Sequence, residues 1–159
     1  MPHRAIPQAY LTFLLGDEKF AIHVDHVQEI IELKDVTRIP DTPHYMLGII
    51  NLRGKVLPLL DTRMKLGLPS LPSTSKNRIL VLNIRETDER VIQVGALVDT
   101  AREVNVIEQK QIQQPADVEN YRKATAVTGI VNDQGDITMI LDVNKVFALQ
   151  GVEIVPAAE

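Results

Sequence analysis

Apolar and polar positions alternate along most of this chain with the period of two that sends successive side chains to opposite faces of a strand. "AYLTFLL" and "FAIHV" are two such runs around Gly16-Asp17-Glu18-Lys19, which carries the glycine and aspartate of a hairpin turn. "RILVLNI" and "VIQVGALV" form a second pair around a longer loop over 85–90, and "VQEIIEL" and "REVNVI" each add a strand. Two more lie in "GIINLRGKVLPLLD" (48–61), where the apolar runs flank Asn51-Leu52-Arg53-Gly54. Asn51 and Gly54 suit a tight turn, whereas Leu52 and Arg53 are unusual occupants of its middle.

The pattern occurs twice. "GIINLRGKVLPLLDTRMKLGL" (48–68) aligns without a gap on "GIVNDQGDITMILDVNKVFAL" (129–149), and upstream "AIHVDHVQEIIE" (21–32) lies over "GALVDTAREVNV" (95–106). Two copies are too few for a solenoid, so the economical reading is one duplicated β-unit. Asp61 and Asp142 read as N-caps of short helices, with apolar positions Met64/Leu66 and Val143/Val146/Phe147 behind them. The predicted fold is all-β: two five-stranded OB-like β-barrels from an internal duplication, packed together over a shared apolar layer, with short helices after the fifth strands. One domain is expected over 9–149, made of two interlocked barrel subdomains with halves at about 9–68 and 78–149. "PSLPSTSKN" (69–77) connects them, and 1–8 and 150–159 are tails. The second copy is longer over 116–128, the expected mobile loop.

Charge and composition narrow the function classes. The 159 residues carry a formal net charge of -4 with no block of Lys and Arg, which argues against binding along a phosphate backbone. There is no cysteine, hence no disulfide or thiolate chemistry, and a cytosolic setting is the default. No apolar run reaches the ~18 residues that span a bilayer, and "MPHRAIPQ" lacks the apolar segment of a signal peptide. Direct membrane insertion is not expected.

Candidate chemistry is sparse. His3, His23, His26 and His44 offer only a weak His-x-x-His spacing, so no metal site is assigned. Nothing resembles a nucleophile elbow, a phosphate loop or a zinc-protease motif, and Asp61 and Asp142 suit caps better than a catalytic carboxylate pair. No catalytic residue and no cofactor are assigned.

The repeat supplies an internal control for the odd turn. Its second copy reads Asn132-Asp133-Gln134-Gly135, so Asn51, Gly54, Asn132 and Gly135 are structural turn residues while the fold does not require Leu52 and Arg53. Either the pair has drifted, with Leu52 folding back on the barrel and Arg53 solvated, or it presents apolar area and a guanidinium fork to a partner, a combination enriched at interface hot spots. Glu29 is a natural acceptor for that fork, although Glu103 occupies the matching place opposite a glutamine. Ile22, Val24, Val27, Ile30 and Ile31 are more than one strand face can bury, which suggests a docking surface.

"FAIHVDHVQEIIELKDVTRIPDTPHYMLGIINLRGKVLPLLDTR" resembles the first half of the CheW family of chemotaxis coupling proteins, and "GALVDTAREV" and "VTGIVNDQGDITMILDVNKVF" resemble its second half. The similarity covers roughly 9–149. It implies a non-enzymatic adaptor linking the histidine kinase CheA to the cytoplasmic tips of methyl-accepting chemoreceptors, cytoplasmic and recruited to membrane-associated receptor arrays. On this resemblance Arg53 and Glu29 fall at positions that matter for coupling and receptor contact, with Ile30 adjacent and Leu52 joined to them by the turn reading above. The kinase's own CheW-like regulatory domain is expected to dock through apolar residues, for which Val24, Val27 and Val98 are the candidates by position.

Three rival readings remain open on sequence alone. An OB-like barrel could bind an oligonucleotide or oligosaccharide, though stacking aromatics and a basic groove are missing. An enzyme would need an activity lost on mutating Asp61 or a histidine. A coupling protein of a non-flagellar chemosensory system would share every motif above.

Overall fold

The computed structural model describes residues 7–114 and 126–149. The loop expected over 116–128 falls outside them up to residue 125, as do 1–6 and 150–159. Eleven strands follow in order: β1 (Gln8–Leu15), β2 (Glu18–His23), β3 (Val27–Glu32), β4 (Met46–Leu52), β5 (Lys55–Asp61), β6 (Arg78–Thr87), β7 (Arg90–Val98), β8 (Thr100–Ile107), β9 (Ile112–Gln113), β10 (Val127–Asp133) and β11 (Asp136–Leu141). Two four-residue helices, α1 (Thr62–Lys65) and α2 (Val143–Val146), follow β5 and β11. Asp61 caps the first through Oδ1, which accepts from Arg63 N at 3.0 Å, and Asp142 caps the second by accepting from Lys145 N at 3.2 Å.

Two curled sheets carry the duplication in their connectivity. One runs β8-β1-β2-β11-β10-β9 and the other β3-β6-β7-β5-β4. Matching β1 to β6, β2 to β7, β3 to β8, β4 to β10 and β5 to β11 turns one order into the other, with two-residue β9 extending the first sheet. In place of β9 the second sheet has an isolated bridge, Thr37 to Ile49. This exchange differs from the expectation of one barrel per half. Each barrel takes its first hairpin from one half and its remaining major strands from the other. The physical reason is the parallel pairs: β2 lies parallel to β11 and β5 parallel to β7. Parallel neighbours need a long crossover rather than a tight turn, and the other half of the chain supplies it. Neither half can complete its sheet alone.

Three apolar layers result. Between the sheets lies the largest, built from Leu11, Phe13, Phe20, Ile22, Leu60, Leu80, Leu82, Val94, Val98, Val146 and Phe147 among others. The five-stranded barrel is filled by Ile50, Leu52, Leu57, Leu59, Ile79 and Val81. The six-stranded barrel has a leaner interior of Ala21, Ile107, Val131 and Ile140, with buried Thr12 and Thr138 at positions where its sibling has Val81 and Leu57. The Thr12 hydroxyl donates to the Glu103 carbonyl at 2.8 Å, which satisfies it in the core.

Two site expectations change here. Leu52 is not in the middle of its turn: it pairs with Lys55 as the last residue of β4, and the two-residue loop is Arg53-Gly54. The period of two then points Leu52, like Ile50, into the barrel, where it is 6% exposed. Val98, 1% exposed, belongs to the layer between the sheets and offers no docking surface. The second hairpin is also tighter than 85–90 suggested, since β6 runs to Thr87 and β7 starts at Arg90.

Candidate functional site

The β4–β5 turn has φ values of 52° at Arg53 and 86° at Gly54, and its counterpart has 53° at Gln134 and 92° at Gly135. Positive φ at both central residues is the turn that matches the twist of paired strands. Asn51 Oδ1 accepts from Gly54 N at 2.8 Å and Asn132 Oδ1 from Gly135 N at 2.9 Å, so the four predicted structural residues perform the same job in both copies. Identical backbones therefore carry an arginine in one copy and a glutamine in the other.

Arg53 crosses the mouth of its barrel to Glu29. Its two terminal nitrogens donate to the two carboxylate oxygens, Nη1 to Oε1 at 3.2 Å and Nη2 to Oε2, in the bidentate fork that guanidinium geometry favours. Glu29 stands on β3 and Arg53 at the tip of β4 and β5, so the pair joins the two ends of the five-stranded sheet order. A bulge in β3 between Val27 and Glu29 re-aims Gln28 and Glu29 toward this rim. Hydrogen bonding from Arg53 holds the Glu29 carboxyl below its ordinary range and, reciprocally, raises Arg53. The fork leaves most of the guanidinium in water: the Arg53 side chain is 68% exposed.

A polar ladder completes the rim. Lys55 Nζ donates to Gln93 Oε1 at 2.7 Å, Gln93 Nε2 to Asn83 Oδ1 at 3.1 Å, and Asn83 Nδ2 to Gln28 Oε1 at 3.2 Å. Asn83 and Gln93 pair two residues beyond Val81 and Gly95, so they continue the core-facing rows where the barrel opens. The chain of amides and one ammonium fixes the rim across β3, β6, β7 and β5. The matching place in the other barrel has an ion pair, Lys19 with Asp136 at 2.7 Å. There Glu103 contacts its chain neighbour Arg102, at 3.7 Å.

Apolar side chains also reach solvent at equivalent places in the two copies. Ile30 matches Val104 and Val56 matches Ile137; all four are exposed, and Val106 on β8 joins them. Ile30 lies directly beside Glu29 on edge strand β3. Val24 and Val27 are half-buried, Val27 packing on the layer between the sheets. The four predicted receptor-side residues thus separate: Glu29 and Arg53 share an accessible rim, Ile30 is exposed on the opposite face of β3, where it pairs with Leu80, and Leu52 supports the rim from inside.

Sequence reasoning missed Arg63. It is buried in α1, and its Nε and Nη2 donate to Asp99, the latter at 2.5 Å, while Gly16 N donates to the same carboxylate at 2.7 Å. The bond from Arg63 pulls the Asp99 carboxyl below its usual range. The clasp ties helix α1 to the β7–β8 corner and the β1–β2 turn, three parts of an interlocked fold. Its only trace in the sequence is Asp99 itself, which repeats Asp25. Among the described residues no group of three His, Asp or Glu could hold a metal ion, and no helix is long and apolar enough to cross a membrane.

Comparison with known proteins finds the CheW-like domain over residues 9–150. "Chemotaxis protein CheW" of Bacillus subtilis is 30% identical over 86% of this chain and 84% of its own length. The protein of that name from Helicobacter pylori is 33% identical over 86% of this chain and 79% of its own. Among solved structures, the scaffolding protein TtCheW from Thermoanaerobacter tengcongensis superposes with a TM-score of 0.79 at 28% identity, covering 94% of this chain and 99% of that one.

Proposed function

The chain belongs to the CheW-like domain family, whose members are chemotaxis adaptors, and from that premise we propose that it couples chemoreceptor tips to the histidine kinase CheA without chemistry of its own. The observation that carries the site is the Glu29–Arg53 fork: an exposed guanidinium held in one orientation on a rigid rim, at a turn whose twin holds the same backbone without it. Glu29 positions the fork and occupies part of it. The remaining N–H groups of Arg53 face solvent, suited to carbonyls or carboxylates on a helical receptor hairpin, and Ile30, exposed on the other face of the same edge strand, offers apolar area at the strand's outer side.

Kinase docking falls to apolar β-surface. Val24 and Val27 keep partial exposure, and Val104, Val106 and Ile137 present more on the other barrel; Val98 no longer contributes. Contacts of this size are individually weak, and an array gains its affinity by engaging many at once. The adaptor would work in the cytoplasm, recruited to receptor arrays at the membrane.

Arg53→Glu tests the reading in arrays reconstituted from receptor, CheA and this protein. Circular dichroism should be unchanged while receptor-dependent control of the kinase falls at least about tenfold, the cost of losing a charge-assisted contact. Full control by the Arg53→Glu variant would refute the receptor site.

A further inference from the structure

The interlocked topology sends the chain from one barrel to the other at two equivalent corners, and the two are held differently. At the β7–β8 corner Asp99 is clasped by Arg63, a group that stays charged at any physiological pH. At the β2–β3 corner the equivalent residue is Asp25, in a single 3-10 turn, Val24–His26, whose cap is His23. The His23 Nδ1 accepts the Asp25 N–H at 3.1 Å, and Nε2 lies 2.6 Å from Gln8 Oε1 on β1. Both bonds are satisfied by one species alone: the neutral imidazole with its proton on Nε2, which donates to Gln8 while Nδ1 accepts.

We propose that His23 is a pH-sensitive latch on this crossover, closed when neutral and released on protonation. A proton on Nδ1 sets two donors, N–H against N–H, at the cap and leaves the Asp25 amide without its acceptor. The groups that face the ring among the described residues are Asp25, whose Oδ2 lies 3.6 Å from Nδ1; His26, with its ring centre at 6.4 Å; and Tyr10 of β1, edge-on at 5.3 Å. Tyr10 stays neutral throughout, since burial raises its pKa. The Asp25 carboxylate gives the released ring a place to turn, away from the backbone it had capped. The turn opens directly into β3, so release loosens the strand that carries Gln28, Glu29 and Ile30.

Amide spectra of the full chain at pH 7.5 and pH 5.5 test the latch without any partner. Asp25 and the β3 amides of Val27, Glu29 and Ile30 should move together with the titration of the His23 ring. His23→Asn keeps a capping acceptor that cannot titrate; in a His26→Asn background, which removes the other imidazole beside Asp25 and Val27, those shifts should persist with His23 present and vanish with His23→Asn. Shifts that survive His23→Asn in that background, or are missing from the wild type, overturn the latch. The functional consequence rests on the receptor reading above: receptor-fragment affinity should drop about fivefold at pH 5.5 in the wild type and hold in His23→Asn. Amide shifts without an affinity change would leave the latch standing and count against the receptor rim.

Discussion

The two tight turns share backbone angles and an asparagine cap, yet the side chains they carry have opposite fates. In the first, Leu52 enters a barrel packed with leucine and isoleucine while Arg53 reaches over the rim to Glu29. In the second, Asp133 and Gln134 both lie exposed, beside a barrel with a smaller, threonine-bearing interior. The difference separates what folding needs from what it leaves free. Leu52 answers to the size of its core, whereas nothing in the turn or the barrel demands Arg53.

Exchanging residues between the copies sharpens this, and the largest effect belongs to Leu52→Asp. It takes the sibling's residue into a packed interior, where the lost apolar burial and the desolvated carboxylate together cost about 4 kcal/mol. Urea denaturation should show a large fall in midpoint. The reciprocal Asp133→Leu, at an exposed position, should shift stability by less than about 0.5 kcal/mol. Equal costs would break the contrast between the barrels.

The corner clasps come next. Arg63→Ala leaves Asp99 partly buried without its main partner, at a cost of about 2 kcal/mol. The pH dependence has a definite sign. Asp99 titrates below its ordinary 3.8 in the folded state, so its contribution is complete above that value and is lost as pH falls through the folded pKa. Wild-type stability should therefore drop more steeply below about pH 4 than that of Arg63→Ala, whose Asp99 has lost the principal cause of its shift.

A smaller effect should have the opposite direction. Thr62 is fully buried at the start of α1, and its hydroxyl has no hydrogen-bond partner among the described residues. The equivalent residue is Val143, equally buried. Thr62→Val replaces an unsatisfied hydroxyl by a methyl of the same shape, and should stabilise by about 1 kcal/mol, seen as a rise of a few degrees in thermal melting.

The sequence made the major strands, the duplication and the helix caps legible because each is local: a period of two, a repeated glycine spacing, an aspartate before a helical turn. Two-residue β9, which makes the first sheet six-stranded rather than five, is too short to show a period. It also suggested Glu29 for Arg53, since a fork needs a carboxylate. The exchange of hairpins was hidden, as a repeat records the order of strands but not which sheet each joins; that depends on parallel pairings such as Lys19 with Thr138. Leu52 was misplaced because the flanking Asn51 and Gly54 suggested a wider loop, and a shift of one residue reverses every facing. Val98 is apolar in either role, so only the layer it enters distinguishes core from docking surface.

Arg53→Gln offers the smallest structural change and the sharpest separation of folding from function. Gln134 already occupies this backbone conformation in the second copy, so the φ of 52° poses no new difficulty. The ion pair is exposed, and such pairs contribute little to stability once screening and side-chain ordering are counted. Melting temperature should therefore stay within about 1 °C of the wild type. Glu29 loses the bond that lowers its carboxyl, so its titration, followed by carboxyl NMR shifts, should move up toward the ordinary range. If receptor-dependent kinase control falls while melting is unchanged, the guanidinium serves binding and not the barrel. A large loss of melting temperature would instead make Arg53 a structural clamp across the sheet's ends, and the two turns would then differ because their barrels close differently.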